Sequence, residues 1–235
     1  HARIDRAIRL ALDESDPDLD WLTRPMALFV TEGGKRIRPA LCVWALRVSA
    51  DRQEPPDALW EVAAAWELFH AFLLAPDDVI DAARTRRGRP ALHLRLDHAA
   101  ARPGAGRHLA IVAGDLLFSH AQRLIVEAGL PKTVHDEICR VFSRIALETG
   151  RGQALDIWLS HRPPDQTPES LILRGYHWKT AAYTFEGPLL SGAILAGLDP
   201  ACLGPVSAFA TALGQAYQVH NDLIDLLNPA SEGCD

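Results

Sequence analysis

Residues 77–81 read Asp-Asp-Val-Ile-Asp, and Arg84, Arg86, Arg87 and Arg89 follow close behind. Dense negative charge beside dense positive charge suits one ligand, a diphosphate. The carboxylates would hold it through metal ions and the guanidinium groups would hold it directly. On an α-helix, residues i and i+4 share a face, so Asp77 and Asp81 project together and Asp78 is offset to the side. Like charges at that spacing repel by about 0.2–0.5 kcal/mol. A hard divalent cation such as magnesium offsets the repulsion, because it prefers carboxylate oxygens and shares phosphates. Asn221, Asp222 and Asp225 repeat the pattern as Asn-Asp-Leu-Ile-Asp. Solvated carboxylates near helix ends are the plain alternative; two such motifs, each closing a long apolar helix pattern, weigh against it.

Two basic stretches offer complementary chemistry. Gly33-Gly34-Lys35-Arg36-Ile37-Arg38-Pro39 sets flexible glycines beside three cations. Glycine lets a ligand approach the backbone, arginine presents a planar fork to phosphate oxygens, and lysine adds a point charge. The second stretch is Arg86-Arg87-Gly88-Arg89-Pro90. His70 lies two helical turns before Asp77 on nearly the same face, so a contact to the same anion is expected from it; a packed core histidine is the commoner use of such a residue.

The elements that must position these residues read as helices. Ile138, Val141, Phe142 and Ile145 form an i, i+3, i+4, i+7 stripe. Residues 57–81, 109–128 and 207–227 are further long helical patterns. Thr167, Pro168 and Glu169 read as a helix start, with Thr167 as the capping hydroxyl. Alternating strand patterns are absent. The expected architecture is all-α, a single helical domain over residues 1–235.

Composition narrows the function classes. Hydrophobic residues make up 48 % and charged residues 23 %, which suits a globular core. The net charge of −6 argues against a nucleic-acid partner, and the local basic clusters point to a small anionic ligand instead. Cys42, Cys139, Cys202 and Cys234 are widely spaced, as reduced thiols of a cytoplasmic protein would be. Glu67 and His70 interrupt one long apolar run and Gly192 another, so no membrane span is expected. No signal peptide is read at the N-terminus. The first residue is His rather than Met, so residues upstream are expected.

Taken in order, "GGKRIRPAL", "ELFHAFLLAPDDVIDAARTRRGRPALH", "AGDLLF", "GRGQALDI", "WKTAAYTFE" and "QAYQVHNDLID" resemble the trans-isoprenyl diphosphate synthases, the polyprenyl synthetase family, over residues 30–228. The resemblance implies a bundle of about ten helices around a central cavity. It implies a prenyltransferase that ionises an allylic diphosphate with three Mg2+ ions and adds isopentenyl diphosphate. It implies a homodimer. Asp77 and Asp81 match magnesium-binding aspartates, supported by Asp78. Arg86 matches the arginine that grips the allylic diphosphate. Lys35, Arg38, His70 and Arg87 match the isopentenyl diphosphate pocket. Lys179, Thr180 and Gln218 match residues around the allylic diphosphate and nascent cation; Asn221, Asp222 and Asp225 match the second metal motif. Gln153 and Asp156 fit a segment near the substrate.

Three features depart from the family pattern. Asn221 stands where an aspartate is usual, and weaker metal affinity is expected. Pro76 lies inside the helix before Asp77 and tends to kink it. The sequence ends soon after the second motif, so C-terminal helices are expected to be missing. Phe72, five residues before Asp77, and Leu73 resemble the floor of a short-chain synthase. The expected product is geranylgeranyl diphosphate, with farnesyl diphosphate next. A class I terpene cyclase and a non-catalytic regulatory subunit are the competing readings.

Overall fold

The computed structural model describes residues 1–13, 16–50, 55–163 and 166–227, with the Asp225 side chain outside the described set. Among these residues the chain forms ten α-helices: α1 (Ala2–Leu12), α2 (Asp20–Thr31), α3 (Ile37–Ser49), α4 (Ala58–Ile80), α5 (Leu92–Ala99), α6 (Gly106–Glu127), α7 (Lys132–Leu159), α8 (Glu169–Tyr176), α9 (Gly187–Ala196) and α10 (Pro200–Leu227). A π-helical segment, His177–Glu186, joins α8 to α9. The all-α expectation holds.

The helices fall into two compact units. One contains α1, α2, α5, α6 and α4 from Trp60 onward; the other contains α3 and α7–α10. In the first unit, α1 buries Ile4, Ile8, Ala11 and Leu12, a single stripe at helical spacing. Helix α4 is different: Val62, Ala63, Ala64, Ala65, Trp66, Leu68 and Phe69 are all buried, so it is apolar around its circumference because it is a core helix. By length and composition α4 and α6 could each cross a membrane. Burial inside the protein accounts for the apolar character of α4, whereas α6 leaves Ile111 and Val112 exposed.

In the second unit the predicted stripe of Ile138, Val141, Phe142 and Ile145 is buried along α7. The π-helical segment is wedged between α7 and α10 by two glycines. A Cβ on Gly152 of α7 would lie 2.3 Å from the Lys179 nitrogen, and one on Gly214 of α10 would lie 2.2 Å from the Ala181 Cβ. Only hydrogen fits at either position.

Two local expectations need correction. Thr167 does not cap α8: its hydroxyl donates to the Pro163 carbonyl at 3.2 Å, and Pro168 itself occupies the cap position. The second basic stretch itself forms a minimal hairpin, β1 (Thr85–Arg86) and β2 (Arg89–Pro90). Its turn, Arg87-Gly88, has positive φ at both residues, 53° and 69°. That geometry matches the right-handed twist of a two-residue hairpin.

Candidate active site

Helix α4 carries the first aspartate motif and runs unbroken through Pro76 to Ile80. Proline has no N–H to give the Phe72 carbonyl, and Gly114 of α6 packs beside both residues. Asp77 is half-buried and Asp81 exposed, one turn apart, and the Asp81 N–H donates to the Asp77 carbonyl at 2.9 Å. Asp78 lies fully buried between them in sequence. Its Oδ1 accepts from Arg86 Nε at 3.0 Å and Nη2 at 2.5 Å. Burial raises the Asp78 pKa, against the opposing pull of the Arg86 guanidinium. The donor set offered by Asp77 and Asp81 is all oxygen, which fits a hard divalent ion.

The hairpin turns Arg87 back over the glycine loop. A Cβ on Gly34 would meet the Arg87 guanidinium at 3.0 Å. Gly33 and Gly34 both have positive φ, so glycine is required there for conformation as well as space. Thus Arg87 and the Lys35 loop come together, with Lys35 exposed. His70 is half-buried on α4. Arg36, which sequence reasoning left without a role, anchors this loop. It is buried, and its guanidinium donates to Glu67 at 2.8 Å, to Asp5 at 3.1 Å and to the Thr31 carbonyl at 3.1 Å. Its φ of 54° is a left-handed value rare for a side chain of this size.

Phe72 belongs to an aromatic cluster. Its ring centroid lies 5.1 Å from that of Phe118 on α6 and 5.6 Å from that of Phe69. Leu73 is half-buried beside it on α4. Phe118 is a residue that sequence reasoning missed; no local spacing links it to Phe72.

The second unit holds its own polar network. Lys179 Nζ donates to Asp156 at 2.6 Å. The Thr180 hydroxyl donates to Gln218 Oε1 at 2.9 Å, and Gln218 Nε2 donates to Asp222 Oδ1 at 2.7 Å. Asp222 also accepts from the Tyr176 hydroxyl. This bond, with burial, pushes the Tyr176 pKa up to about 12, so the phenol stays a donor. Tyr176 is a further residue the sequence left unassigned. Asn221 is half-buried one residue before Asp222. Gln153 lies one residue beyond Gly152 on α7 and is half-buried. Arg38 is buried, donates to the Thr184 hydroxyl at 2.8 Å and lies 4.5 Å over the Tyr183 ring. Its Nε–H is buried without a protein acceptor.

A cleft of about 470 Å3 in the first unit is lined by Trp21, Arg24, Leu28, Leu94, Arg95 and His98 among others, none of them a predicted site residue.

Comparisons with known proteins identify the family. The chain is 34 % identical over 224 residues to the short chain isoprenyl diphosphate synthase of Methanothermobacter thermautotrophicus, covering 95 % of this chain and 63 % of that protein. It is 32 % identical to the geranylgeranyl diphosphate synthase of Sulfolobus acidocaldarius, covering 83 % of this chain and 56 % of the relative. The crystal structure of the geranylgeranyl pyrophosphate synthase of Corynebacterium glutamicum, complexed with isoprenyl diphosphate and magnesium, superposes with a TM-score of 0.81 at 29 % identity, covering 95 % of this chain and 66 % of that one. The chain therefore spans about three-fifths of the length of these curated relatives. The family profile for polyprenyl synthetases matches residues 19–233. With the aspartate motifs and basic loops in the family's order along an all-α chain, the protein belongs to the polyprenyl synthetase family.

Proposed function

We propose that the protein is a trans-prenyltransferase that joins isopentenyl diphosphate to an allylic diphosphate (dimethylallyl, geranyl or farnesyl) and makes geranylgeranyl diphosphate. The observation that carries the reading is the pairing of Asp77 and Asp81 one turn apart, with Asp78 enclosed and clamped to Arg86. In this proposal Asp77 and Asp81 would bind magnesium as one motif and Asn221, Asp222 and Asp225 as another, with three ions expected in all. When bound, these ions supply positive charge to a departing diphosphate.

The chain's own residues do the rest. Asp78 fixes the plane of Arg86, so the guanidinium is oriented before the allylic diphosphate arrives. Arg87 and Lys35, gathered at the glycine loop, are cations for isopentenyl diphosphate, and His70 contributes a ring nitrogen. Arg38 has a buried Nε–H still to donate. The allylic C–O bond breaks, the new C–C bond forms to isopentenyl diphosphate, and a proton leaves to the released diphosphate. Lys179, Thr180 and Gln218 flank the allylic group and present oxygens and charge to it, while the Phe72–Phe118 pair excludes water and limits chain growth. A homodimer in the cytoplasm completes the proposal; the exposed Ile111 and Val112 of α6 offer an apolar face for pairing.

The test is a product assay with full-length protein, magnesium and labelled isopentenyl diphosphate, offering each allylic starter separately. A discrete twenty-carbon alcohol after dephosphorylation is expected. A fifteen-carbon product would replace the chain-length assignment with farnesyl diphosphate. A hydrocarbon formed from an allylic diphosphate alone, or no incorporation by folded protein, would overturn the transferase reading.

A further inference from the structure

The second unit contains a cluster that the proposed transfer reaction does not use. Glu148 of α7 and His177 and Glu186, the first and last residues of the π-helical segment, each offer one ligand atom, all within 4.8 Å of one another. The π-helix brings them together. With i→i+5 bonding a turn takes more than four residues, so the nine-residue step from His177 to Glu186 makes about two turns and returns to the same face. At the α-helical 3.6 residues per turn the two would lie on opposite faces. The segment closes with the same bonding, since the Gly187 N–H donates to the Ala182 carbonyl.

The two oxygens of Glu186 are used differently. Oε1 accepts from Arg144 Nη2 at 2.9 Å and from the Ser207 hydroxyl at 2.7 Å. Oε2 is buried without a hydrogen bond on a side chain only 3 % exposed, and it faces His177 Nε2 at 3.8 Å. An unmet carboxylate oxygen at that depth is costly. Arg144 also donates to Glu148 at 3.1 Å, so one guanidinium is shared by two carboxylates. Two carboxylates thus face one guanidinium, a surplus of negative charge that favours a cation. Three ligands about 2.1 Å from one tetrahedral ion stand roughly 3.4 Å apart, so closing the cluster from within 4.8 Å needs a shift of at most about 1.4 Å between ligand atoms, within reach of side-chain rotation. Glu148 and His177 are each about one-fifth exposed, which leaves a path for an ion to enter.

We propose that Glu148, His177 and Glu186 bind a zinc ion, with Arg144 and Ser207 holding the carboxylates in place from outside. An imidazole with two carboxylates suits zinc, whereas magnesium favours all-oxygen sites. The ion would tie α7 to both ends of the segment that carries Lys179 and Thr180. The site is independent of the transfer reaction.

The test is zinc titration of the full-length protein by calorimetry in millimolar magnesium, which fills the all-oxygen aspartate sites. Wild type is expected to bind one equivalent of zinc and to melt at a higher temperature with it. His177→Gln should weaken that equivalent by at least about tenfold, since even an outer partner of a ligand is worth that much. Glu148→Gln, at a partly exposed position, should abolish the thermal shift without unfolding the protein. Zinc absorption-edge fine structure should show one imidazole at the site in the wild type and none in His177→Gln. Equal zinc binding by wild type and both variants, or no zinc bound by wild type beyond magnesium-competed sites, would overturn the assignment.

Discussion

Asp78 shows how one position in a motif can differ from its neighbours. From spacing it is the aspartate set to one side; in the fold it is fully buried and spends Oδ1 on Arg86. Asp81→Asn is expected to lower kcat/KM by on the order of 10²-fold, with the magnesium dependence moved to higher concentration, since it removes a charge from the all-oxygen set. Asp78→Asn should act otherwise: it frees Arg86 and costs about 1–3 kcal/mol in stability, measured by urea unfolding, because a buried charged hydrogen bond is lost. Phe72→Ala should lengthen the product, and the alcohols recovered after dephosphorylation check this by chromatography; an unchanged product distribution would sink the floor assignment. Phe118 remains as a second aromatic at 5.1 Å, so the expected change is a ladder of lengths rather than one new product. The one-turn spacing of Asp77 and Asp81 on a helix could be read from the sequence because it is local. Phe118, Tyr176 and the anchoring role of Arg36 could not, because each acts through a partner many residues away.

At the scale of elements, the long helices were legible because their apolar residues repeat at 3.6, as Ile138 to Ile145 does. The π-helical segment was not, because its sequence is compatible with ordinary helix and its bonding is imposed by what packs against it. Gly152 is the residue to test. Gly152→Ala places a methyl 2.3 Å from the Lys179 nitrogen, so the segment must move. The expected result is a fall in kcat together with a lower melting temperature, read by steady-state kinetics and calorimetry. The hairpin at Thr85–Pro90 was missed because Arg-Gly is not the usual Asn-Gly turn signal, although Gly88 supplies one of the two positive φ values. Thr167 looked like a cap on sequence grounds, yet a hydroxyl that can reach a carbonyl four residues back has a competing use.

Across the whole molecule, the all-α class was legible from composition and period, while the grouping of α3 with α7–α10 was not, since it joins segments far apart in sequence. Cys42 reports on that grouping. It is buried where α3 meets α9, and its carbonyl lies against Gly192. Burial pushes its thiol pKa up from 9.0 to about 12. The folded state thus keeps the thiol neutral, a preference fully present below pH 9 and lost as pH rises towards 12. Stability should fall over that window, and Cys42→Ala should flatten the fall, as followed by chemical denaturation at several pH values. Maleimide should label the exposed Cys202 in the native protein and reach Cys42 only through unfolding. Arg36 carries a consequence for how the chain is made. Its acceptors lie on either side of it in sequence, at Asp5 and at Glu67. During synthesis the glycine loop leaves the ribosome before Glu67 does, so its buried cation must wait, solvated, until α4 has emerged. The loop that gathers Lys35 and Arg87 is therefore a late-setting part of an early-made segment, and a nascent chain stalled before residue 67 should expose it to proteases that the finished protein resists.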